Sequence, residues 1–236
     1  MWEIIKTSLP QLLAAGFKYT IPLAIISFFF GLIIALVTAL IRLSRQRGAF
    51  MILKWIASFY VWLFRSTPLL VQLFIVFFGL PYLRIKGVLP HGIKLEPFTA
   101  GIITFSLNTG AYASETIRAA ISSVPTGQWE AGAAIGMTRL QILWRIILPQ
   151  ALRVALPPLS NSFISLVKDT SLAASITIME MFAVSQQIAA ENYQPLLMYT
   201  LVAMVYAAFT TILSYFQGYL ERVVDRQVNA NNRCEK

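Results

Sequence analysis

Four charged side chains lie within or at the edge of long apolar stretches: Arg65, Glu115, Lys168 and Asp169. In hydrocarbon, a charge at mid-bilayer costs roughly 2.5–3.5 kcal/mol on insertion scales, so such groups face a protein interior or a water-filled path. Their chemistry is then electrostatic: holding a charged solute, gating a path, or pairing with one another. Lys168 and Asp169 are neighbours and point about 100° apart on a helix. A straight helix does not let them pair directly, so either the helix breaks there or each finds a partner on another segment. Thr170 and Ser171 add hydroxyls beside them. Two readings stay open, a solute path or gate and a structural ion network such as Lys168 with Glu115. Asn108 reads either as an interhelical hydrogen bond or as a solute contact. Arg65, three residues before Pro68, reads as an interfacial side chain that snorkels or caps. Covalent and metal chemistry have little to work with. The single cysteine, Cys234, lies near the C-terminus, and the single histidine, His91, sits between Pro90 and Gly92 in a loop-like stretch.

The elements that position these groups follow from composition. Of 236 residues, 57% are hydrophobic and 12% charged, with mean hydropathy +0.68. A soluble domain carries roughly 25% charged residues. The solvent must be largely lipid, and in lipid only helices or closed barrels satisfy every backbone polar group. The apolar runs are long and lack period-2 alternation, which selects helices. The net charge of +9 could suggest nucleic acid. The basic residues instead sit in the short connections, where membrane topology places them, and no nucleic-acid partner is expected.

Spans are expected at about 19–41, within 52–80, at 98–117, at 158–182 and at 196–219. The second stretch is longer than one crossing needs. Pro68 removes a backbone donor, so a break is expected near Arg65–Pro68, with 52–67 either interfacial or spanning. The expected organisation is an extracytoplasmic N-terminal segment at 1–18, a transmembrane domain at 19–220 and a cytoplasmic tail at 221–236. The first 18 residues, with Pro10 and Gly16, do not read as a signal peptide. One set of connections holds twelve Lys and Arg (Arg42, Arg45, Arg47, Lys54, Arg118, Arg139, Arg145, Arg153, Arg222, Arg226, Arg233 and Lys236). The other holds five (Lys6, Lys18, Arg84, Lys86 and Lys94). By the positive-inside rule the first side is cytoplasmic, with the N-terminus outside and the C-terminus inside.

Between the third and fourth spans, 126–149 reads Glu130-Ala-Gly-Ala-Ala-Ile-Gly136, nine residues, then Ile146-Ile-Leu-Pro149. Thr126 is the expected N-cap, with Glu130 near the positive end of the helix dipole. Small residues at 131–134 give a thin face against which another surface can pack, and Gly136 should end or bend the helix. A second amphipathic helix, 140–147, should stop before Pro149. The picture is a helix–turn–helix on the membrane's inner face, offered to a soluble partner.

This spacing resembles the EAA loop of bacterial ABC import permeases, matching at Glu130, Ala131, Gly136, Ile146, Leu148 and Pro149. It departs at Gly132, where the family usually has Ala. The segments starting at Phe64 (FRSTPLL), Ser106 (SLNTGAYASE) and Ser165 (SLVKDTSL) are similar to the branch that imports polar amino acids. The stretch Ser160–Leu172 is most similar to cystine permeases. The resemblance implies an all-α integral membrane protein of about five spans with a cytoplasmic coupling loop, the type I ABC importer permease, in the bacterial inner membrane. It also implies a second permease chain, identical or homologous, two ATPase subunits docked on the EAA loops and an extracytoplasmic binding protein that delivers the amino acid. ATP and Mg would be held by the ATPase, because no G-x-x-x-x-G-K-[ST] phosphate loop occurs here. A Lys168–Asp169 pair would then offer both charges that a zwitterion needs. The competing function is an ion-coupled secondary carrier, which usually shows two related halves; no internal repeat is apparent here. A membrane anchor or sensor leaves the intramembrane charges and the docking loop without a role.

Overall fold

A computed structural model describes residues 2–44, 48, 50–83 and 92–234, with side chains described except at 220 and 223–234. Arg45, Arg47, Arg84, Lys86, His91 and Lys236 fall outside the described residues, as do the side chains of Arg226, Arg233 and Cys234. Every regular element among the described residues is helical. In chain order these are α1 (Trp2–Ala15), α2 (Ile21–Leu43), α3 (Phe50–Ser66), α4 (Leu69–Phe74), α5 (Pro97–Ser123), α6 (Thr126–Ala134), α7 (Arg139–Ile142), α8 (Leu148–Asp169), α9 (Met181–Asn192) and α10 (Pro195–Cys234).

Three helical runs are long and apolar enough to cross a membrane: Trp2–Leu43, Arg139–Ile176 and Pro195–Tyr219. A fourth candidate is the pair Phe50–Ser66 and Leu69–Tyr82, which bends by 110° across Thr67 and Pro68. This is the break expected at Pro68. Helix α5 has 27 residues, about 40 Å of rise, and reads as the remaining crossing. It is less apolar because protein surrounds it: Ala100, Thr104, Phe105, Ser106, Thr109 and Ser114 are all buried. Exposed Trp55, Phe59, Trp62, Tyr215 and Phe216 on α3 and α10 belong to the outer, lipid-compatible surface.

Three helical boundaries differ from the sequence expectation, the first two for a shared reason. The helix of the first span starts at Trp2 instead of near Tyr19, and the helix after the loop runs through Pro149 instead of stopping before it. In each, a wide π turn comes just before a proline: Gly16–Thr20 before Pro22 and Leu143–Ile147 before Pro149. A third, Ile75–Gly79, precedes Pro81. In all three the residue before the proline donates to the carbonyl five back, Ile21 to Gly16, Leu80 to Ile75 and Leu148 to Leu143. A proline lacks an N–H and its ring clashes with the carbonyl four residues back. Widening the turn moves that carbonyl aside, so the helix continues. Pro10, Pro157 and Pro158 sit inside helices without such a turn. The third difference is at 158–182. Helix α8 gives way to a 3-10 segment, Thr170–Ile176, then Thr177 turns left-handed at φ 66° and α9 begins separately at Met181.

Helices α2 and α5 form the central pair. A Cβ at Gly31 would lie 3.0 Å from Thr109 Cβ, and one at Gly110 would lie 2.9 Å from Ile34 Cγ2. Small residues let membrane helices approach closely, which replaces the hydrophobic drive absent between them in lipid. Three apolar clusters stack along the bundle. One, at the α6–α7 end, joins Ala35, Ala113, Ile121, Ile142, Ile147 and Leu159. A middle one joins Leu23, Leu73, Phe105, Leu166, Ile176 and Ile178. The third holds α1 against α9 and α10 through Leu12, Met181, Ile188, Met198 and Val202.

Candidate functional site

The loop at 124–149 builds itself from local hydrogen bonds. Helix α5 ends at Val124, and Pro125, extended at ψ 140°, precedes α6. The N-cap is therefore Pro125 with no side-chain cap, not Thr126, because the proline fixes φ and starts the helix one residue earlier. Helix α6 ends in a Schellman arrangement: Met137 N donates to Gly132 O at 3.1 Å and Gly136 N to Ala133 O at 3.0 Å. Gly136 has φ +81°, a conformation favourable for a residue without Cβ, and open space surrounds it. Thr138 then caps α7 reciprocally with Gln141. Where the two helices meet, buried Gly132 lies against Ile142.

This packing divides the motif. Gly132 faces inward, while Glu130, Ala131, Ala133, Ala134 and Gly136 are exposed. Ile146 and Leu148 pack against the cluster that holds α2, α5 and α8 together, and Pro149 is exposed. Outside, Ile135 is 77% exposed, Leu140 68% and Trp144 57%. A cavity of about 940 Å³ opens between the loop and the ends of α2 and α5, lined by Leu40, Leu43, Trp129, Glu130, Leu140 and Trp144 among others. The arrangement is a rigid apolar knob fixed to the bundle.

The polar groups separate into distinct clusters. Glu115 on α5 pairs with Arg42 at the end of α2 and with Arg118 at 2.9 Å. It does not pair with Lys168, as the network reading suggested; Arg42 and Arg118 occupy both its oxygens. Asn108 donates to Gln72 Oε1 at 2.9 Å, and Gln72 Nε2 donates to Phe64 O, Thr67 O and Thr67 Oγ1. A buried glutamine thus satisfies the backbone carbonyls freed by the break at Pro68 and ties them to α5. Pro68, extended and exposed, is the residue before α4. Arg65 lies over the Tyr112 ring at 5.5 Å. Lys168 and Asp169 are exposed at the end of α8, with no ion-pair partner within 4 Å among the described residues. Ser171 is half-buried beside them. Thr170 turns inward, fully buried, and donates to Val167 O at 2.7 Å.

Sequence reasoning passed over Gln72, Glu180 and Tyr206. Glu180 is completely buried and bonds Tyr206 and the α9 backbone. A carboxylate between Met179 and Met181, inside the expected span 158–182, was a signal equal to that of Asp169. Gln72 in the run Leu69–Phe74 was a weaker one.

The helices, the inward polar clusters and the projecting loop define a membrane transport component. A family model for the inner membrane component of binding-protein-dependent transport systems matches residues 31–226, and the chain belongs to this family, to which the EAA motif belongs. The L-cystine transport system permease protein TcyB of Bacillus subtilis (strain 168) is 50% identical over 228 residues, 96% of this chain and 92% of that protein. The nopaline transport system permease protein NocM of Agrobacterium fabrum is 39% identical over 90% of this chain and 87% of its own. The permease-like chain of a solved amino acid ABC transporter with histidines superposes with TM-score 0.79 at 29% identity, covering 92% of this chain and 97% of that one. The MetNI methionine ABC transporter in an inward-facing form shares the fold, with TM-score 0.72 at 23% identity over 92% and 97%. The fold is that of a type I ABC importer permease.

Proposed function

We propose that the chain is the membrane-spanning subunit of an ABC importer for a polar amino acid, with L-cystine as the preferred substrate. The observation that carries this is 50% identity to an L-cystine permease over nearly the whole of both chains. ATP and Mg bind a partner ATPase, and this chain has no nucleotide site of its own. The basic side is cytoplasmic, with the N-terminus and residues 1–18 outside and the 221–236 tail inside, as the twelve-to-five distribution of Lys and Arg supports. The 126–149 knob receives one ATPase subunit per permease, and a binding protein delivers substrate to the opposite face.

A second permease chain completes the pathway. Lys168 and Asp169 are exposed on a spanning run, without ion-pair partners among the described residues. Two such charges facing lipid would be costly, so the surface that carries them meets protein or water. Facing each other across a pair of permeases, they present opposite charges to the ammonium and carboxylate of an amino acid. The test is ATP-dependent uptake by the reconstituted complex against L-cystine, glutamine, arginine and methionine. Uptake of cystine above the others, reduced by about tenfold or more in Lys168→Met and Asp169→Asn with ATPase still bound, is expected. Uptake without ATP, or of none of the four, overturns the reading. A cysteine introduced at Gly48, in a Cys234→Ser background, should react only with membrane-permeant thiol reagents; reaction with impermeant reagent from outside would reverse the orientation.

A further inference from the structure

Glu180 is a fully buried carboxylate far from the knob, and its bonds reach in two directions. Oε1 accepts Ala183 N at 2.7 Å and Oε2 accepts Phe182 N at 2.9 Å, which caps α9. Oε2 also accepts the Tyr206 hydroxyl of α10 at 2.5 Å. The Tyr206 phenol lies against the hydroxyls of Thr170 and Thr20. Thr20, in the turn between α1 and α2, accepts Met181 N at 3.5 Å. The carboxylate therefore bonds α9 and α10, and the 170–176 segment and the turn between α1 and α2 join the same cluster through Tyr206 and Met181. Capping alone does not call for this, since a short polar side chain at the surface caps a helix as well. Burying a carboxylate is costly unless every oxygen is occupied, and a tyrosine from another helix is an added, specific partner.

What the cluster holds is the segment most in need of holding. The 3-10 segment Thr170–Ile176 is seven residues long, whereas such runs rarely exceed three or four because their hydrogen bonds are poorly aligned. It ends in Thr177 at φ 66°, a left-handed conformation in a β-branched residue. Nothing intrinsic to that sequence favours this backbone, so tertiary contacts must impose it. Its first residue, Thr170, is the one against Tyr206, and Asp169 and Lys168 come immediately before.

We propose that Glu180 and Tyr206 form a buried latch that fixes the start of the 170–176 segment and so positions Lys168, Asp169 and Ser171 for substrate passage. The positional part stands on geometry; the substrate part rests on the function proposed above. Glu180 acts through Tyr206 and touches no substrate, so it is a positioning residue.

The test uses the full complex, with Ser171→Cys in a Cys234→Ser background and a water-soluble thiol reagent. Without substrate, Tyr206→Phe should change the labelling rate at position 171 by about tenfold, the effect of losing one bond to a charged group. The rate at a control Leu196→Cys, exposed at the start of α10, should stay the same. In the parent complex, KM for L-cystine should rise by a similar factor in Tyr206→Phe while the maximal ATP hydrolysis rate is retained. Glu180→Gln should act in the same direction, and the double variant should be no worse than the stronger single one. If Tyr206→Phe does not accumulate in the membrane, Glu180→Gln, which keeps the shape, carries the same measurements. Unchanged labelling at 171, or equal changes at 171 and 196, overturns the latch. Failure of the uptake panel with altered labelling at 171 alone would overturn the substrate assignment and leave the latch standing.

Discussion

The loop at 126–149 and the polar interior of the bundle are built on opposite principles. At the loop end the hydrogen bonds that shape α6 and α7 span three to five residues, and the side chains they set out are exposed. Inside the bundle Glu180, Thr170 and Thr20 are buried and Tyr206 is half-buried, and the bond from Met181 to Thr20 joins residues 161 apart. The first kind of structure is encoded locally and shows outward, as suits a surface that meets another protein. The second exists only when the whole chain has folded, as suits a part that must hold still while neighbours move. Substitutions at the loop end should therefore damage transport and spare stability, and substitutions in the buried polar clusters should do the reverse or both.

The largest effect is expected at Gly136. A side chain there meets nothing in this chain within 4 Å, and the strain is confined to φ +81°, a cost of about 1–2 kcal/mol in a helix-ending turn. Gly136→Asp should insert at normal levels and yet lose ATP-dependent uptake altogether, either releasing the ATPase or leaving it hydrolysing ATP without transport. Membrane yield, ATPase co-purification and uptake separate these outcomes. Normal uptake by a well-expressed variant would remove the loop from the coupling path.

Next comes Gln72, the buried counterpart. Gln72→Leu keeps the approximate volume but leaves Phe64 O, Thr67 O and the Asn108 amide without their partner. Each orphaned buried polar group costs about 1–3 kcal/mol, so thermal unfolding of the detergent-solubilised protein should begin several degrees lower. Asn108→Ala alone should cost less, since the break at Pro68 keeps its tether. Equal stability of Gln72→Leu and the parent protein would erase the contrast between the exposed loop and the buried polar clusters.

The same contrast explains what could be read from the residues. The turn at Gly136 and the break at Pro68 were legible because their causes lie within a few positions, whereas the small face expected at 131–134 is divided, with Gly132 turned inward. The family membership was legible for the same reason, through short motifs at fixed spacing. Pro149 misled: proline rules end a helix, but a π turn five residues long lets it continue, and which of the helical prolines receives such a turn is decided by packing. One of two open readings paired Glu115 with Lys168 because both are intramembrane charges, yet Arg42, 73 residues away in sequence, reaches it through the close α2–α5 contact at Gly31. Nothing local announces that approach. Gln72 and Glu180 were visible as polar residues in apolar runs, but their partners were not.

The smallest effect, and the one whose sign is most informative, is at Gly132. Helix propensity alone favours Ala over Gly by about 1 kcal/mol, and Ala is what the resembling motif usually carries. A Cβ here would stand 2.8 Å from Ile142 Cγ1, 3.1 Å from its Cδ1 and 3.3 Å from its Cγ2. Ile142 is 2% exposed and wedged into the cluster that anchors the loop, so it has little room to retreat. Overpacking of this kind costs about 1–3 kcal/mol, enough to cancel or outweigh the propensity gain. Gly132→Ala should leave the protein unchanged or slightly less stable by thermal unfolding, and Gly132→Ala with Ile142→Ala should show a favourable coupling between the two sites. A single Gly132→Ala variant that melts higher than the parent would show that the α6–α7 contact yields easily. The knob would then be a soft element rather than a rigid one, and the loop end would lose the local rigidity that separates it from the latch.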